Sequence, residues 1–280
     1  MKIILLSIQN FQEYIIDNIK NLLLFNNNDI VVITEKQFFY KLKDYPVQLI
    51  DKNDLEDYNF NITSNLDRNF RNGFWHLCSL RFFYLYSYIK NNNIINCIHL
   101  ENDVITYINF DNFMPNLNKI YVTYDSELRV IPGIIYIPNS ELLKPLIENY
   151  NPKLNDMENL LNYGFEPFPI FIINNNILNK YNKNFNIFNS IFDGAAIGQY
   201  LGGVDKRNIE GNTEGFINET CIIKYNNYKF YWIKEINNLY IPHIEINNKI
   251  YKINNLHIHS KELYKFMANN PIENKYIQIL

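Results

Sequence analysis

Apolar positions along the chain fall into two rhythms. Short unbroken runs at residues 3–6 and 30–33 have strand length, and between them Tyr14, Ile15, Ile19, Leu22 and Leu23 recur at helical spacing. This β-α-β opening predicts a right-handed crossover between parallel strands, which makes Ser7-Ile8-Gln9-Asn10 a mouth over the carboxyl edge of the sheet. A third strand is expected at 47–50, and the polar stretch 51–72 reads as a long excursion with a short helix. Residues 75–90 carry an aromatic and leucine stripe, Leu80, Phe83, Tyr84 and Ser87, that predicts a helix leading into an apolar strand at 94–100. Strands at 119–124 and 131–137 follow, then a helix capped from Asn139 and another beginning at Asp156. No internal repeat or Pro/Gly/Ser-rich linker divides the chain, and the Asn runs at 26–28, 91–93 and 174–176 are short enough for loops. The pattern predicts an α/β fold in a single domain.

Composition narrows the class. With 280 residues and 47% hydrophobic content the chain can bury a full core. A net charge of −3, scattered without a basic stripe, argues against nucleic acid or an anionic membrane as the main partner. Apolar runs stay below the roughly 18 residues a membrane span needs, and Met1-Lys2-Ile3-Ile4-Leu5-Leu6-Ser7 is too short for a signal peptide, so cytosolic residence is the default. Cys78, Cys97 and Cys221 are odd in number and lack disulfide or zinc spacing, which reads as reduced core thiols. The sequons at Asn61-Ile62-Thr63 and Asn218-Glu219-Thr220 are expected by chance in so Asn-rich a chain, whose Asn, Ile and Tyr excess resembles the bias of an AT-rich genome.

The chemistry is concentrated in three blocks. In the first, the apolar run 94–100 ends abruptly in Glu101-Asn102-Asp103. Two carboxylates at alternate positions of an extended chain project from one side, where both can address a hard cation, the kind that prefers oxygen ligands. The competing reading is a solvated turn after a strand. Arg81, alone among the apolar residues of its helix, is a surface arginine, one half of an ion pair, or a group held for phosphate or for these carboxylates. In the second block, residues 192–203, Asp193 can cap a helix whose first turns are Gly and Ala, or accept from sugar hydroxyls with the small residues making room for a ring. The third is 253–261: strand alternation buries Leu256 and Ile258 and turns Asn255, His257 and His259 to the other face, near Lys261. One imidazole there can complete a cation site, and Lys261 can neutralise a leaving phosphate, although paired histidines on a strand often serve packing alone.

Together, residues 81–83, 99–104, 192–203 and 256–261 resemble glycosyltransferases of the GT-A fold, in particular members found in bacteria and large DNA viruses. The resemblance runs from the first strand to Lys261. It implies a GT-A type Rossmann-like mixed sheet, mainly parallel and flanked by helices, with 1–110 as the nucleotide-binding half and 111–280 as the half for acceptor and donor sugar. It further implies a nucleotide-sugar donor, a UDP-sugar first among the candidates, bound through Mn²⁺ or Mg²⁺ with a glycan or protein as acceptor. If the chain is viral, host cytoplasm or the virion joins the cytosol as a location.

Glu101-Asn102-Asp103 would then stand for the family's Asp-x-Asp motif, with Asp103 as metal ligand and Glu101 departing from the commoner Asp. His257 or His259 would supply the remaining protein ligand, with the choice between them open. Ser7, Ile8, Arg81, Glu101, Asn102 and Lys261 are the expected donor contacts, Glu101 serving either as a metal ligand or as a holder of ribose or a metal-bound water. Asp193 is the candidate base if configuration inverts, and a holder of the donor ring if it is retained. Two alternatives remain: a silent carbohydrate-binding protein, and a sugar-nucleotide nucleotidyltransferase, which is expected to carry Gly and Arg in the loop where this chain has Ser7-Ile8-Gln9-Asn10.

Overall fold

The first strand, β1 (Lys2–Ser7), lies in the interior of a seven-stranded sheet, third in its order, because its four apolar residues leave no face for solvent. The computed structural model describes residues 1–113, 118–126, 129–169, 189–203, 205 and 227–280. Cys221, the sequon at 218–220 and the Asn run at 174–176 lie outside them. Helix α1 (Ile15–Leu24) returns the chain to β2 (Ile30–Thr34), parallel to β1, and β3 (Gln48–Asp51) adds a further parallel strand. The polar excursion holds α2 (Phe60–Thr63) and leads through left-handed Arg71, Asn72 and Gly73 into the long helix α3 (Phe74–Asn91).

Strand β4 (Cys97–Leu100) pairs parallel with β1. It is shorter than the apolar run predicted: Asn96 is left-handed and Ile95 is exposed, so the first residues of that run form the turn out of α3. After it come β5 (Val104–Thr106), α4 (Phe110–Phe113), β6 (Tyr121–Ser126) and β7 (Arg129–Ile137). Helices α5 (Ser140–Glu148) and α6 (Asp156–Tyr163) are capped by Asn139 and Asn155, the second with a reciprocal capping box through Glu158. The short β8 (Glu166–Pro167) completes a sheet of order β3-β2-β1-β4-β7-β6-β8, in which β7 runs antiparallel to both neighbours and the other strands share one direction.

One face of this sheet packs against α3, α5 and α6, the other against α1. A second core lies between α7 (Ile197–Gly202) and a four-stranded sheet of β9 (Lys229–Lys234), β10 (Tyr240–Ile246), β11 (Lys249–Lys252) and β13 (Ile277–Ile279). The junction that matters is small. Strand β12 (Asn255–His257) pairs antiparallel with β5, setting His257 opposite Val104 and so bringing the late segment to the turn that follows β4.

Candidate metal and donor site

The acidic segment is a turn, not the extended strand its spacing suggested: the Val104 N–H donates to the Glu101 carbonyl at 3.0 Å. Three elements fix this turn. Asn18 of α1, fully buried, donates its amide to the carbonyls of Val104 at 2.9 Å and Asn102 at 3.2 Å. Asn21, one turn on, donates to the Thr106 carbonyl at 2.7 Å and accepts from the Ala268 N–H at 2.9 Å. Asn102 donates to the Leu6 carbonyl at 2.6 Å and to the Gln12 side chain, tying the turn to the loop after β1. Its amide is thus spent inside the protein, which corrects the expectation that it meets the donor.

Ser7 is corrected likewise. It is fully buried, with its hydroxyl donating to Asn10 and accepting from the Gln12 N–H, so it shapes the mouth without lining it, while half-buried Ile8 packs on the core.

Glu101, Asp103 and His257 converge: a ligand atom from each lies within 4.8 Å of the others. His257 Nε2 is 3.3 Å from both Glu101 Oε2 and Asp103 Oδ2, and its Nδ1 hydrogen-bonds the Gly194 carbonyl at 2.7 Å. That second bond orients the ring, as the outer partner of a metal-binding imidazole does. Each carboxylate also has a cation beside it: Arg81 pairs with Glu101, and Lys261 with Asp103.

Charge settles the protonation of the group. Burial opposes ionisation of Glu101, but Arg81 and then His257 hold it below its usual range. For Asp103 burial is likewise outweighed by Lys261 and His257, and its carboxyl falls well below the ordinary value. Burial disfavours the imidazolium of His257, yet the two carboxylates raise it to about 9. His259 goes the other way, lowered by burial and by the neighbouring charges of His257 and Lys261. His259 also stands outside the three-residue group, its Nδ1 engaged by the Gln199 amide at 2.8 Å. Of the two imidazoles the sequence left open, the geometry brings His257 to the carboxylates.

Arg81 is held by two carboxylates. Its guanidinium, nine-tenths buried, lies between Glu101 and Asp156, with Asp156 Oδ2 at 2.7 Å. Asp156 was missed by sequence reasoning because an acidic residue in the first turn of a helix is ordinary. Asn18 and Gln199 were missed too, since nothing in a polar residue of an amphipathic helix tells that its amide faces inward.

Asp193 is a clamp. Its Oδ1 accepts from the N–H groups of Ala196 and Ile197, and its Oδ2 from those of Gly198 and His257, at 2.7 to 2.9 Å. At 2% exposure, with both oxygens saturated, it has no lone pair directed at an acceptor hydroxyl or a sugar ring. The geometry therefore removes it as base and as ring holder, leaving the capping role. Asn255 reinforces the clamp, donating to the Asp193 carbonyl and accepting the Asp193 N–H.

No protein-family model and no curated protein matches the chain. Solved structures similar in fold include a galactosyltransferase, LgtC, in complex with donor and acceptor sugar analogues, at a TM-score of 0.38 and 12% identity over 59% of this chain and 70% of that one. Mouse xyloside xylosyltransferase 1 aligns at 0.37 and 12% over 58% and 81%. The glycosyltransferase GlyE of Streptococcus pneumoniae TIGR4 aligns at 0.37 and 14% over 58% and 42%. The chain itself shows an α/β fold on a mixed, mainly parallel seven-stranded sheet with one reversed strand, and an acidic turn at the carboxyl edge of β4.

Proposed function

We propose that the chain is a metal-dependent glycosyltransferase, moving a sugar from a nucleotide-diphosphate donor to a hydroxyl of a glycan or protein acceptor. The observation that carries this reading is the convergence of Glu101, Asp103 and His257. Two carboxylates and an imidazole suit Mn²⁺, and Mg²⁺ less closely, at a spacing one ion can bridge. When bound, the ion stabilises the negative charge that develops on the departing diphosphate.

The protein's own residues prepare that event. Arg81 keeps Glu101 ionised and aimed, and Asn18 and Asn102 hold the turn so that little reorganisation is needed. Lys261, partly exposed and paired to Asp103, is a mobile point charge that can pass from the carboxylate to a phosphate oxygen. With Asp193 spent on four N–H groups, the acceptor proton is assigned to the leaving diphosphate, the route that retains anomeric configuration. A UDP-sugar is the first donor to try.

Asp103→Ala tests the assignment. The variant should remain folded, because its lost partner Lys261 can reach water, and should lose Mn²⁺-dependent UDP binding in a thermal-shift assay in which ligand raises the wild-type melting temperature by mass action. Undiminished Mn²⁺-dependent binding rejects it.

A further inference from the structure

Strand β11 is the outer edge of the second sheet, and it carries polar chemistry that the acidic turn does not use. The hairpin turn Asn247-Asn248, with both residues left-handed, pairs β10 with β11 so that His243 stands directly opposite Lys252. At the far end of β11 the segment 189–191 closes on the strand, with the Ile191 N–H donating to the Lys252 carbonyl at 3.0 Å. A cavity of about 550 Å³ is lined here by Asn189, His243, Lys249, Ile250, Tyr251 and Lys252, a size within the roughly 300–1,000 Å³ of small-molecule sites.

Two features give this cavity its selectivity. The first is an oriented imidazole. His243 is 8% exposed, and its Nδ1 lies 2.9 Å from the Ile241 carbonyl. A carbonyl oxygen only accepts, so Nδ1 carries the hydrogen; burial lowers the ring's pKa below its ordinary value, which leaves a lone pair on Nε2. That nitrogen faces Glu235 Oε1 at 3.5 Å, so two acceptors stand together and call for a hydroxyl donor. The second feature is charge. Lys252 also reaches Glu235, at 3.5 Å, whereas exposed Lys249 has no ion-pair partner among the described residues. Two ammonium groups against one carboxylate leave a positive charge in excess.

We propose that this cavity is a second carbohydrate site, which takes a sugar bearing a negative group, carboxylate or phosphate, with the charge met by Lys249 and Lys252 and a hydroxyl donating to His243. The site does not depend on the metal reading. Lys252 precedes His257 by five residues, a span of at most about 18 Å of extended chain, so a ligand held here stays within reach of the late segment without touching the acidic turn.

The experiment is calorimetric titration in the presence of a chelator, with glucuronate, glucose 6-phosphate, glucose and inorganic phosphate as probes. Wild type should bind at least one of the two acidic sugars about tenfold or more tighter than it binds glucose or inorganic phosphate, and the tighter of the two tells whether carboxylate or phosphate is the charge read. Lys249→Met with Lys252→Met should weaken that binding at least about tenfold, as for a lost hydrogen bond to a charged group. His243→Gln should weaken it less, about three- to tenfold. The lysine variant changes only side chains that reach solvent, so it carries the test should His243→Gln fail to fold. No binding of either acidic sugar overturns the proposal, as does inorganic phosphate binding as tightly as they do, which would leave a general anion patch. Unchanged affinity in the lysine variant also overturns it, and loss of binding in Lys261→Met instead would move the anion to the candidate metal group.

Discussion

Arg81 joins two carboxylates, Glu101 after β4 and Asp156 at the start of α6, through one nearly buried guanidinium. Removing it alone strands both charges, so Arg81→Met should cost about 3–5 kcal/mol in urea unfolding. Adding Asp156→Asn should restore part of that loss, because one stranded charge is gone, and simple additivity of the two substitutions would show that they do not interact. At this scale the sequence was legible where spacing carries geometry. Glu101, Asp103 and His257 do meet, although the carboxylates sit on a turn and not on an extended strand, and His259 stays outside the group. It was illegible where one residue type serves two purposes. Asp193 as cap and Asp193 as base look alike until the four N–H groups are counted, and Arg81 gives no sign in the sequence of whether phosphate or carboxylate faces it.

Among the elements, β1 and β2 were readable as unbroken apolar runs of strand length, and α1 by the helical spacing of its buried residues. The direction of β7 was not, since an apolar run reads the same whichever way its hydrogen bonds run. The contact between α7 and β12 was hidden for another reason, that a glycine's missing side chain leaves no pattern. Its importance is open to measurement. A Cβ at Gly198 would lie 2.6 Å from the His257 nitrogen and closer still to its carbonyl oxygen, so Gly198→Ala must push β12 away from α7. We expect a loss of about 1–3 kcal/mol in stability together with weaker Mn²⁺ binding, because the displaced strand carries His257 with it. Wild-type Mn²⁺ affinity in a destabilised variant would show that the strand and its ligand move independently.

For the molecule as a whole, acid should be a selective stress. His76, buried at the start of α3 and stacked on Phe60, hydrogen-bonds Asn61 and Ser64. Burial and then Arg68 lower it to about 4. The unfolded chain, with an ordinary histidine near 6.5, binds the proton first. The stability this residue lends is therefore complete above pH 6.5 and is lost as pH falls toward 4, up to about 3 kcal/mol over that interval. Urea midpoints of wild type should drop across that window more steeply than those of His76→Gln; parallel slopes would place the acid sensitivity elsewhere.

The two-stranded ladder of β5 and β12 has a consequence in time. It joins residues about 150 positions apart, and with it the only His in the metal-binding group of the described residues. During synthesis the acidic turn leaves the ribosome long before its partner, and no local segment can substitute. A growing chain thus carries the two carboxylates of the candidate group without their imidazole. Under the proposed function, the full ligand set would be assembled in a single late event, when β12 zips onto β5, and a chain interrupted before that point would lack it.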